Sequence, residues 1–207
     1  MISQLFQRHP AGPADTSKVE DTAQLNATFA ERLRVIDRDP YICIADENLR
    51  IISVFDDLQY DRADMDMLSG PMRRCVIERL APLGFRQISG GVLENTAEGI
   101  RMLMPKFRAL GASPFDAARD TPRRSQDYYI LTPTQTACHF VSHYATGAAI
   151  AAIEKLIVQQ PVNLLRLADY LEKSAEHQAF AVDVGYLRYV QKQAVASEPL
   201  RSRRALR

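Results

Sequence analysis

His139 and His143 stand four residues apart in the run His139-Phe140-Val141-Ser142-His143. On a helix this spacing places both imidazoles on one side, where they can coordinate a single divalent transition metal ion. Zinc proteases with a comparable pair carry a glutamate directly after the first histidine as general base, and phenylalanine stands there instead, which excludes that mechanism. A metal also needs at least one further ligand. His177 is the expected third, with Asp169, Glu172, Glu176 and Cys138 as alternatives on the same or later helices. The competing reading is that His139 and His143 are structural, held by hydrogen bonds in a core or at an interface. Cys138 and His139 are adjacent and project apart on a helix, so they form no dyad. The chain has no Gly-x-Ser-x-Gly elbow and no phosphate-loop glycine pattern.

Two charged clusters present other chemistry. Asp56, Asp57, Asp61, Asp64 and Asp66 supply oxygen ligands suited to magnesium or calcium, yet the glycine and closing glutamate of a calcium loop are missing, and a solvated acidic loop explains them as well. Arg201, Arg203, Arg204 and Arg207 can contact phosphate, but without interleaved aromatics they read no base sequence; any nucleic-acid binding is confined to weak contacts through this tail. Leu167-Ala168-Asp169-Tyr170-Leu171 looks like the opening of a helix-turn-helix. The helix after it offers Glu176, His177, Gln178 and Asp183, with no arginine or lysine before Arg188, and phosphate would repel it.

These residues depend on the elements that carry them. The pair lies in residues 132–160, where Thr132 can cap, Pro133 suits the first helical position and Gln135 completes a capping-box spacing. Between residues 137 and 153 the only polar side chains are Cys138, His139, Ser142, His143 and Thr146, so the segment reads as one helix forming the buried spine of a helical layer. Its small residues Gly147, Ala148, Ala149, Ala151 and Ala152 admit close approach of another helix, within this chain or from a second copy. Apolar spacing predicts further helices from Leu164 to Leu171 and from Ala179 to Ala194.

Upstream, residues 18–38 space Val19, Ala23, Leu25, Phe29, Leu33 and Ile36 as an amphipathic helix, ended by Pro40. Residues 41–45 and 49–55 are rich in branched and aromatic side chains and flank Asp46, Glu47 and Asn48, which predicts a β-hairpin. A helix is expected from about Ser69 to Leu80, stopped by Pro82 and Gly84, and a strand over residues 85–93 broken at Gly90 and Gly91. Asn95 or Thr96 is placed to cap a helix through Leu103, residues 111–127 mark an internal boundary, and residues 128–131 form a last strand.

Composition is that of a globular chain: 207 residues, 46% hydrophobic and 25% charged, enough for one sizeable core. A net charge of +1 gives no overall field to gather nucleic acid or an anionic membrane. Cys43, Cys75 and Cys138 fit no zinc spacing and cannot all pair, which suggests reduced thiols in the cytoplasm. Residues 1–12 lack the continuous apolar core of a signal peptide, and the apolar run at residues 148–153 falls far short of the ~20 residues that span a bilayer.

The expected architecture is α+β: a small antiparallel sheet with flanking helices, then a predominantly helical part around a buried central helix. Its divisions are an arm (1–17), an α/β region (18–131), a helical region packed on it (132–196) and a basic tail (197–207). The functional expectation is a non-catalytic cytoplasmic accessory or interaction protein that binds a protein partner or itself as a homo-oligomer. The alternatives are a metal-dependent enzyme or metal-binding protein using His139, His143 and His177, and a small-molecule sensor built on the hairpin.

Overall fold

The computed structural model describes residues 29, 31–39, 41–55, 67–105, 122–173 and 175–197. Within them, the strands are β1 (Ile42–Asp46), β2 (Ile51–Val54), β3 (Arg86–Ser89), β4 (Val92–Asn95), β5 (Ile100–Leu103) and β6 (Tyr128–Leu131). The helices are α1 (Gly70–Leu80), α2 (Pro133–His143), α3 (Thr146–Gln159), α4 (Leu164–Lys173), α5 (Gln178–Ala181) and α6 (Val184–Ala196). The arm at residues 1–17, the first part of the expected helix 18–38 and residues 198–207 of the tail lie outside the described residues.

The sheet corrects the expected small antiparallel one. Six strands run in the order β1-β2-β6-β5-β4-β3, and the sheet is mixed. The predicted hairpin is present as the antiparallel pair β1–β2, and β3, β4 and β5 form an antiparallel meander. Strand β6 inserts between the two and runs parallel to both β2 and β5. Its residues Tyr128, Tyr129, Ile130 and Leu131 are all buried, as are all four of β2, the unalternating pattern of strands covered on both faces. The domain remains α+β.

Residue period two divides the side chains between two cores. Ile42, Ile52, Val54, Ile100, Met102, Tyr128 and Ile130 face Phe29, Leu33, Ile36 and the Met72, Val76 and Leu80 stripe of α1. Cys43, Ile51, Leu103, Tyr129 and Leu131 face the opposite way, against α2, α3, α4 and α6. Each large aliphatic side chain so buried contributes about 1.5–3 kcal/mol.

Local signals explain most elements. Ser69 caps α1 by accepting from the Met72 N–H (3.3 Å), and Pro71 occupies its first turn. The helix expected after Asn95 is instead strand β5. Asn95 spends its side chain on a turn, accepting from the Glu98 N–H and donating to the Leu83 carbonyl, and Gly99 at φ +65 reverses the chain into the strand. The expected spine helix is two helices. Tyr144 breaks it in an extended conformation (φ −112, ψ 152) while its hydroxyl donates to Asp46 Oδ2 at 2.7 Å. In the last turn of α2, Ser142 Oγ donates to the Cys138 carbonyl, a local bond that competes with continuation of the helix. No helix among the described residues is long and apolar enough to cross a membrane.

The helical layer is fastened to the sheet by Gln160, buried at the end of α3. Its Oε1 accepts from Ser53 Oγ at 2.6 Å, and its Nε2 donates to the carbonyls of Tyr41 (3.1 Å) and Ser53 (3.3 Å). Gln160→Ala strands the buried Ser53 hydroxyl and is expected to lower stability by about 2–3 kcal/mol in chemical denaturation. A loss of only a few tenths would show that the bonds to β2 carry no weight.

Candidate functional site

Helix α2 leaves the end of β6 through a complete capping box. Thr132 Oγ1 accepts from the Gln135 N–H (3.1 Å), and Gln135 Oε1 accepts from the Thr132 N–H (3.0 Å). Helical geometry then aligns Thr132, Gln135, Thr136, His139 and His143 in one polar stripe. The stripe is buried at its deep end, where Gln135 is 1% exposed and Thr136 0%; His139 is 6% exposed and His143 reaches solvent. Gln135 Nε2 and Thr136 Oγ1 find no hydrogen-bond partner. Because the capping bond fixes which amide atom is the oxygen, the atom left over is the –NH2 donor.

The two predicted histidines meet on this stripe. Their ring centroids are 4.0 Å apart with planes inclined by 35°, and His143 Nδ1 lies 2.9 Å from the His139 carbonyl oxygen. A metal at His143 would therefore use Nε2. The His139 ring meets Tyr129 edge-to-face at 6.0 Å, and the Arg123 guanidinium lies over the Tyr129 ring at 4.6 Å while Nη1 donates to the Leu49 carbonyl. Burial pushes the Tyr129 hydroxyl above its ordinary pKa, and the Arg123 charge only partly offsets it. Tyr144 is pushed up to about 12, by burial and then by the hydrogen bond and charge of Asp46, so it is an anchor and not a proton carrier at neutral pH.

His177 is placed in the 3-10 turn Ala175–His177. Among the described residues, no group of three or more His, Cys, Asp or Glu is placed to hold a metal ion, so His177 does not join His139 and His143 in such a group, nor do Asp169, Glu172, Glu176 or Cys138. Asp56, Asp57, Asp61, Asp64 and Asp66, and the arginines Arg201, Arg203, Arg204 and Arg207, lie outside the described residues.

A second surface lies on the outward side of the same helical layer. Val182, just before α6, is 84% exposed, and Tyr186 and Tyr189 are 51% and 61% exposed; with Gly185 they follow helical i, i+3, i+4, i+7 spacing. The Tyr186 hydroxyl bonds to Glu154 of α3, one turn before exposed Val158. Toward the other end of α3, Gly147, Ala148 and Ala151 are also exposed. A Cβ added at Gly147 or Gly185 meets nothing within 4 Å. Packing within this chain requires neither glycine.

Sequence reasoning found the histidine pair and missed its companions. Gln135 registered as a cap and Thr136 not at all, because an unpartnered polar atom is defined by what surrounds it. Arg123 and Tyr129 come together only through the sheet. The pair Arg101 and Asp127, below the same strand ends, was equally invisible. Asp127 is fully buried and receives Arg101 through Nη2 and Nε (the latter 3.2 Å) and the Arg124 N–H at 2.7 Å.

Comparison with known proteins gives no match: no family model, curated protein or solved structure matches this chain.

Burial alone would raise the pKa of Asp127, but the Arg101 and Arg124 hydrogen bonds and charges outweigh it and hold the carboxyl below its ordinary value of 3.8. The stabilisation from this depressed pKa is complete above that ordinary value and is lost as pH falls through the folded-state value. Arg101→Met leaves a buried unpaired carboxylate and is expected to cost about 3 kcal/mol at pH 7. The loss should shrink at pH 4, where the variant's carboxyl takes up a proton and the wild type's does not. Denaturation curves of both proteins at the two pH values check this; an equal loss at both would show that charge is not what the pair supplies.

Proposed function

We propose that this chain is a non-catalytic cytoplasmic interaction protein that assembles with a second copy of itself through the outward face of α3 and α6. The observation that carries the reading is the exposed stripe Val182, Gly185, Tyr186 and Tyr189. Tyrosine is enriched at interfaces because it joins a large apolar face to a polar tip; beside the 84%-exposed Val182 the rings of Tyr186 and Tyr189 leave apolar surface in water, although the Tyr186 hydroxyl bonds to Glu154. The glycines add support. A glycine in a helix interior costs roughly 0.5–1 kcal/mol relative to alanine, and less in the first turn, where Gly147 and Gly185 stand. With open space beside both, close approach by another backbone is a reason for Gly147 and Gly185 that folding does not supply.

A two-fold contact requires a patch complementary to itself. Among the described residues, the histidine pair lacks a third metal ligand.

Solution mass across a concentration series, with elemental analysis of protein purified without chelator, tests the proposal. Wild type is expected as a dimer without stoichiometric metal. Tyr186→Ser with Tyr189→Ser is expected to be monomeric with a melting temperature, measured below the wild type's dimerisation range, changed by no more than a surface substitution gives. Gly147→Ala is expected to stabilise the monomer by less than the roughly 0.5–1 kcal/mol of an interior position while weakening the dimer. A wild type that stays monomeric, a double variant that still dimerises, or near-stoichiometric zinc, iron or manganese would overturn the reading.

A further inference from the structure

We draw no further inference here: the strongest candidate, the surface patch of Arg50, Arg101 and Arg123 where the chain enters β6, already serves the fold by holding the Gln126 carbonyl, Asp127 and the Leu49 carbonyl, and nothing in the structure shows what covers it.

Discussion

Strand β6 cannot be placed at the centre of this sheet unless both of its ends are tied down, and Asp127 and Thr132 do that work. A central strand running parallel to both neighbours gets no help from a tight hairpin, since parallel pairs are joined only through long connections. Its register must be fixed by other means. At the entry, Asp127 draws Arg101 from the neighbouring strand and the Arg124 N–H from its own approach, while the Arg50 carbonyl accepts from the Tyr129 N–H at 2.9 Å. Arg50 adopts φ +52, unusual for a residue other than glycine, and its guanidinium reaches the Gln126 carbonyl. The hairpin turn thus grips the strand it must pair with. At the exit, the Thr132 capping box converts the end of the strand directly into α2.

That hand-off sets the position of the whole helical layer. Helix α2 starts at a fixed point on the sheet, so its stripe carries His139 to Tyr129, and its end delivers Tyr144 to Asp46 in the first hairpin. The break at Tyr144 lets α3 turn away and present a surface that a single continuous helix would have buried or pointed elsewhere. Gln160 then returns the chain to β2. The buried stripe of α2 follows from the hand-off at Thr132, and the direction of α3 from the break at Tyr144 that Asp46 holds.

Signals confined to a few residues were legible in the sequence. Ser69 before Gly70-Pro71, the Thr132-Pro133-Gln135 box, the Asp46-Glu47-Asn48 turn and the Gly90-Gly91 break all mark real boundaries. Signals that depend on partners were not. Asn95 has the same preference for a helix cap and for a turn, and only Gly99 four residues later favours the turn that leads into β5. Residues 128–131 were readable as a strand but not as a parallel one: Tyr128-Tyr129-Ile130-Leu131 does not alternate, and four apolar residues suit an edge as well as a centre when their neighbours are unknown. The apolar run that suggested a single spine hid its interruption because Tyr144 is no helix breaker by itself; the aspartate that holds it lies 98 residues earlier. The histidine pair was legible for the same reason as the caps, its geometry being local.

Polar atoms left unmatched inside and aromatic rings left uncovered outside invert the ordinary distribution of a folded chain, and both inversions occur in the helices that follow β6. Neither is a by-product of the other. Thr136 Oγ1 bonds to nothing, and Tyr189 is mostly exposed, while the Tyr186 hydroxyl ties α6 to Glu154 of α3. The sheet and the α1 side bury an aliphatic stripe of Met72, Val76 and Leu80 and cap or ion-pair the polar groups at the strand ends, while Val35, Met67 and Ile88 are exposed there as well. Both features lie in the layer launched by Thr132, the unmatched atoms in α2 and the exposed tyrosines in α6.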